Sequence, residues 1–219
     1  MGTAGRKQGW LLAGALVLAA AWLGPLPDWS RSSFAAHMLM HLSVVALAAP
    51  LLAIGVAGTA ADPARRWPAV FGAVVASIFE FLVVWAWHAP ALHHAARAST
   101  ALLVFEQASF LVVGLMLWLS AFGGDQRHRR QRAAAGIGGL LLTSMHMTLL
   151  GVLLALAGRT LYTHAHAGAA PLPFGLSPLQ DQHLGGVLML AIGGTAYLAG
   201  ALWLLAGLLR ERGRVVADG

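Results

Sequence analysis

The sequence predicts an all-α fold: one polytopic transmembrane bundle of six spans, at 10–25, 34–57, 67–88, 99–122, 133–158 and 183–209, with both termini in the cytoplasm. Three observations predict it. Of 219 residues, 58% are hydrophobic and 10% are charged. A soluble domain carries about 25% charged residues, so this chain has too little polar surface to cover a water-soluble globule. The apolar residues gather in runs close to the roughly 17–25 residues that a helix needs to cross ~30 Å of hydrocarbon. The basic residues fall on one side. With the N-terminus inside, Arg6, Lys7, Arg65, Arg66, Arg127, Arg129, Arg130, Arg132, Arg210, Arg212 and Arg214 are cytoplasmic, and only Arg31, Arg97 and Arg159 are outside. That asymmetry is the positive-inside signature. The mean hydropathy of +0.72 agrees with it.

These numbers exclude a soluble enzyme, a disordered chain and a nucleic-acid-binding domain. The net charge of +6 would suit a nucleic acid, but the charge sits in short loops between spans, so no nucleic-acid partner is expected. The absence of cysteine excludes disulfides, thiolate metal sites and a cysteine nucleophile. The chain reads as a single membrane domain, 1–219, whose partner along its length is the lipid bilayer. Its small residues allow close helix packing, and a homo-oligomer is compatible with them.

The first span is the shortest. Arg6 and Lys7, an apolar run and Ala19-Ala20-Ala21 also resemble a signal peptide. A retained anchor is the reading adopted here; cleavage would leave five spans in the same orientation. The second span carries His37 and His41, four apart and therefore on one helical face, with Met40 expected to flank that face and Met38 to point further round. Two imidazoles at this spacing either chelate a metal or hydrogen-bond to neighbouring helices. The third span carries Glu80 and His88, eight apart, and ends at Pro90. The fourth carries Glu106. At ~1.5 Å per residue, Glu80, Glu106 and His41 fall at about the same depth, ~10–12 Å below the outer surface. A shared polar cavity and a structural network that fixes helix register both follow from that.

The fifth span carries Met145-His146-Met147, of which His146 and one methionine can share a site; methionine is equally a core filler. The connection 159–182 reads as an ordered loop or re-entrant lid with Tyr162, His164 and His166. Ser177-Pro178-Leu179-Gln180 reads as a helix start, with serine as N-cap, proline in the first turn and glutamine closing a capping box. It places Asp181 and His183 in the opening turns of the last helix.

Nine of the ten histidines thus lie at mid-membrane or on the outer side, His128 being the exception. The candidate metal set is His37, His41, Met40, His88, His146 and His183, with Glu80, Glu106, Asp181, Met38, Met145 and Met147 supporting it or lining the cavity. Imidazole suits copper, zinc and iron, and thioether prefers Cu(I). Copper, as Cu(I), is the expected metal in an outward-facing site without cysteine. No HExxH helix, phosphate-binding loop, dinucleotide fingerprint or nucleophile elbow is present.

Several motifs taken together resemble the CtaG-type family of caa-type cytochrome c oxidase assembly factors. They are His37-Met38-Leu39-Met40-His41 followed by Ala49-Pro50-Leu51-Leu52, then Trp87-His88-Ala89-Pro90-Ala91-Leu92, then Leu161-Tyr162, and Leu176-Ser177-Pro178-Leu179-Gln180-Asp181-Gln182-His183-Leu184-Gly185-Gly186. The similarity runs from about Phe34 to Leu209. Two departures stand out. The family often has Glu-His where this chain has Glu106-Gln107, and it tends to carry seven spans rather than six. The resemblance implies a bacterial plasma-membrane protein, not an enzyme. It would serve oxidase assembly by assisting copper delivery, with oxidase subunits and periplasmic copper chaperones as partners.

Two other functions compete. A b-type membrane cytochrome would ligate haem with histidines on facing helices, and a Soret band would reveal it. A copper or ion permease would need a polar path to the cytoplasm, and the inner halves of the spans carry few groups for one.

Overall fold

The computed structural model describes residues 3–162 and 175–217, with the backbone alone at 3, 126 and 214–217. The lid expected around His164, His166 and Pro171 lies outside the described residues. Among those described, the secondary structure is helical, without a strand.

Helix α1 (Thr3–Leu23) is followed by a single turn, α2 (Leu26–Trp29). The second span is one rod in two parts, α3 (Phe34–Leu42) and α4 (Ala49–Val56), joined by a π-helical stretch over Ser43–Ala48. Pro50 accounts for the stretch. It has no N–H to offer the carbonyl four residues back, and its ring presses on that carbonyl, so the preceding turn widens. The indole Nε1 of Trp118 donates to the Val45 carbonyl within the stretch, at 2.9 Å.

Helix α1 lies along α4 through paired glycine seats. A β-carbon on Gly14 would come within 2.7 Å of Leu52 Cγ, and one on Gly55 within 2.6 Å of Leu11 Cγ. Only glycine admits the facing leucine at each point.

One turn, α5 (Pro63–Arg66), is capped by Asp62, whose carboxylate also takes the amides of Gly58 and Gly124 at 2.8 and 2.7 Å. Helix α6 (Ala73–Trp87) begins later than the expected residue 67. Pro68 disfavours helical geometry at Trp67, and Gly72 is extended at the N-cap. Helix α7 (Pro90–Ala98) leaves α6 at 72°. The break is local chemistry: Ala89, before a proline, is extended, and Pro90 opens the next helix.

Helix α8 (Thr100–Phe122) starts at the N-cap Ser99, and α9 (Arg129–Ala155) follows. The last rod comprises α10 (Pro178–Leu188), a second π-helical stretch over Met189–Gly194, and α11 (Thr195–Ala217). The Ser177–Gln180 capping box is formed as the sequence predicts. Helices α9 and α10 cross where a β-carbon on Gly151 would lie 3.0 Å from the Gly186 carbonyl oxygen.

Among the described residues, four helices are long and apolar enough to cross a membrane: Phe34–Val56, Thr100–Phe122, Arg129–Ala155 and Pro178–Gly213. The bent pair α6–α7 makes a fifth if it counts as one span. The sequence predicts six. Helix α6 is only 15 residues long, and Arg6 and Lys7 occupy the opening turns of α1. The 36 residues of Pro178–Gly213 rise about 54 Å, more than the ~40–45 Å of a bilayer with its headgroups, so this rod is longer than an untilted crossing requires. Phe34, Met38, Leu42, Phe110, Trp118, Met147 and Tyr197 fill the core, and large apolar side chains such as Leu16, Phe105 and Trp203 are exposed on the outside.

Candidate functional site

The site is built on the first turns of α3. Ser33 caps the helix with its hydroxyl, and Asp181 reaches across from α10 to complete the cap. The Asp181 carboxylate accepts from Ser33 Oγ at 2.7 Å, Phe34 N at 2.6 Å and Ala35 N at 3.3 Å. A carboxylate at a helix N-terminus satisfies amides without an intrahelical partner and opposes the helix dipole. Asp181 therefore fixes where α3 begins, and with it the depth of His37, Met38 and His41.

His88 closes α6. Its Nδ1 lies 2.7 Å from the Val84 carbonyl, which can only accept, so Nδ1 carries the proton. In the neutral ring the lone pair is then on Nε2, 3.4 Å from the thioether sulfur of Met38. The ring of His41 meets that of His88 edge-on at 5.7 Å and packs on Phe110 at 4.0 Å. Among the described residues, neither nitrogen of His41 has a hydrogen-bond partner.

On the other side of the face, His37 Nε2 lies 3.5 Å from Glu106 Oε1, and its ring meets that of His93 edge-on at 4.7 Å. Gln107 donates to the second oxygen of Glu106 at 3.4 Å and accepts from Trp22 Nε1 at 3.4 Å. All four histidines and Glu106 are buried.

Helix α7 covers this cluster. It turns His93 and Arg97 inward, one helical turn apart, and leaves Leu92 and His94 exposed. Tyr162 stacks on Phe34 at 4.4 Å, lies 4.4 Å from the ring of His93 and donates its hydroxyl to the His88 carbonyl at 2.7 Å. Burial pushes that hydroxyl up to about 12, with the nearby Arg97 cation pulling the other way, so it stays a donor.

The structure thus brings together His37, His41, Met38, His88 and Glu106, with Asp181 holding the frame. The other expected site residues lie elsewhere. Met40, on the opposite flank of α3 from Met38, lines a cleft with Trp22 and Gln107. Relative to His37, Met38 stands at roughly +100°, His41 at +40° and Met40 at −60°, and His88 comes in on the Met38 side. Glu80 does not pair with Glu106; its Oε1 accepts the Tyr197 hydroxyl of α11. Beside it, Ser77 and Thr143 hydrogen-bond to each other at 2.9 Å.

His146 packs on Phe81 at 5.4 Å, Met147 lies in the core and Met145 is exposed. His183 Nε2 lies 2.9 Å from the Ala157 carbonyl, tying α10 to the end of α9.

The residues that sequence reasoning left out are His93, Arg97 and Phe110. His93 and Arg97 are four apart on an amphipathic segment just past a proline, which is the signal that would have found them. Among the described residues, no three histidine or acidic side chains converge to hold an ion. The groups that do converge are imidazole and thioether.

No curated protein and no solved structure resembles the chain closely enough to count as a match. The family model of the cytochrome c oxidase caa3 assembly factors (CtaG) matches residues 3–211. This covers nearly the whole chain, and the protein belongs to that family.

Proposed function

We propose that this assembly factor takes Cu(I) as its cargo, at Met38, His41 and His88, and hands it to the oxidase. The observation that carries the reading is the approach of His88 Nε2 to Met38 Sδ at 3.4 Å, with the His88 tautomer set by Val84. Metal–nitrogen and metal–sulfur bonds of about 2.0 and 2.3 Å put two ligands of one tetrahedral ion roughly 3.5 Å apart. A soft thioether beside an imidazole, which copper also accepts, suits Cu(I). His41 stands next to this pair, and among the described residues neither of its nitrogens has a hydrogen-bond partner. Glu106 sits behind His37 as a carboxylate that can orient its ring.

A cargo site differs from a resident one in needing few ligands, so that the ion can leave. Two or three such donors satisfy that need. The protein acts here as a chaperone, not as an enzyme. In the topology that accompanies this reading, α1 and the α6–α7 pair complete six spans. Both termini are cytoplasmic, and the site opens to the periplasmic side of a bacterial plasma membrane. Client oxidase subunits and periplasmic copper chaperones would meet it there.

Haem fits this geometry less well. A macrocycle needs its axial imidazoles on opposite faces, whereas His41 and His88 meet edge-on with Phe110 against His41. The test is metal analysis of detergent-purified protein after Cu(I) loading, with a visible spectrum of the same sample. The expected result is about one copper per chain and no Soret band. Copper-free protein after loading, or a Soret band, would overturn the reading.

A further inference from the structure

A cleft of about 370 Å³ opens between the C-terminal end of α1 and the first half of α8, on the flank of α3 away from His88. Leu23, Val104 and Ala108 form exposed apolar walls, and the buried Met40 forms the floor. Gln107 also reaches the cleft, but its amide is already engaged by Trp22 and Glu106. The interior is therefore apolar in effect.

The mouth is different. Arg31 and Thr100 stand there, both exposed. The Arg31 guanidinium is held in place by Thr100 Oγ1 at 3.0 Å and by the Arg97 carbonyl at 3.4 Å. These two bonds use two of its five N–H donors and leave three for an outside acceptor.

We propose that this cleft binds a phospholipid with an anionic headgroup, one acyl chain lying along α8 and its phosphate on Arg31. The volume falls in the ~300–1,000 Å³ range of small-molecule sites and is too small for a partner's transmembrane helix. The apolar walls ask for a hydrocarbon chain. The fixed cation at the rim asks for an anion, and only an amphiphile supplies both in one molecule. The cleft's walls Leu23, Val104 and Ala108 are exposed on the outside of the bundle, beside the exposed Phe105, so lipid reaches it directly. This inference is independent of copper.

The experiment is native mass spectrometry of the detergent-purified full chain. It is titrated with phosphatidylglycerol and, separately, with phosphatidylcholine of the same acyl chains. The wild type should retain phosphatidylglycerol about fivefold better, the contribution of one basic side chain near an anionic headgroup. Arg31→Gln should lose that preference and bind both lipids as the wild type binds phosphatidylcholine, while Arg31→Lys should keep it. Ala108→Trp, which fills the cleft from its exposed wall, should weaken both lipids. Glycerol 3-phosphate without acyl chains should not compete. Equal retention of the two lipids by the wild type, an unchanged preference in Arg31→Gln, wild-type binding in Ala108→Trp, or competition by glycerol 3-phosphate would each overturn the proposal.

Discussion

His88 Nε2 faces Met38 Sδ across 3.4 Å, joining the end of α6 to the middle of the first turns of α3. The Val84 carbonyl behind the ring leaves the lone pair of a neutral imidazole on the Met38 side. A thioether and an imidazole held at that separation are the core of the proposed copper site.

The first prediction separates the two methionines of α3. Met38→Leu conserves volume, so it removes the thioether at a packing cost below about 1.5 kcal/mol. It should lower Cu(I) affinity about tenfold or more in a chelator-competition titration. Met40→Leu, on the opposite flank, should leave affinity unchanged. Equal losses in the two variants would mean that the α3 face has been assigned wrongly.

The second separates the two buried glutamates. Glu106 adjoins His37, whereas Glu80 holds the Tyr197 hydroxyl. Glu106→Gln should weaken Cu(I) binding by less than the ~10–100-fold that losing a carboxylate on a ligating imidazole costs, because the His37 that Glu106 adjoins packs beside the three ligands and is not one of them. Glu80→Ala should leave binding intact and cost about 1–3 kcal/mol of stability, because a buried hydroxyl loses its acceptor. Copper titration and detergent thermal unfolding of both variants check this; the opposite pattern would exchange the two roles.

The third concerns the cap on α3. Ser33→Ala removes one side-chain cap and should cost about 1 kcal/mol. Asp181→Ala removes the acceptor of Ser33 Oγ and of two backbone amides, and should cost more. It should also loosen copper binding, because the depth of His37 and His41 is set from that end. Thermal unfolding that ranks Ser33→Ala as the more damaging change would contradict this frame.

The fourth tests topology. Arg130 stands in the first turn of α9 and Arg159 lies beyond its last turn, and the helix rises about 40 Å over Arg129–Ala155. Alkaline phosphatase fused after Arg159 should be active, and after Arg130 inactive. Activity at Arg130 but not at Arg159 would invert the bundle and turn the histidine cluster to the cytoplasm.

Much of this was legible in the sequence. The pairing of His37 with His41 on one face follows from their spacing, and the start of α10 at Ser177 follows from its capping chemistry. The break after His88 follows from Pro90. Azimuth was not legible. Equal depth suggested one cavity for Glu80 and Glu106, but rise per residue gives height only, and Glu80 turned toward α11. Spacing places Met38 and Met40 on either flank of His37 without saying which flank meets α6. Length and apolarity mark four or five crossings among the described residues, because Arg6 and Lys7 make α1 more polar and Pro68 and Gly72 shorten α6 before its bend to α7. The role of His93 and Arg97 depends on that bend, whose direction no local pattern encodes.

The most direct test of the central claim is copper K-edge X-ray absorption of the Cu(I)-loaded protein. The chain has no cysteine, so any sulfur bound to copper comes from one of its 7 methionines. The account predicts imidazole nitrogen scattering together with one sulfur scatterer at about 2.3 Å, with the sulfur absent in Met38→Leu. A copper shell of nitrogen and oxygen alone, or a sulfur that survives Met38→Leu, would contradict it.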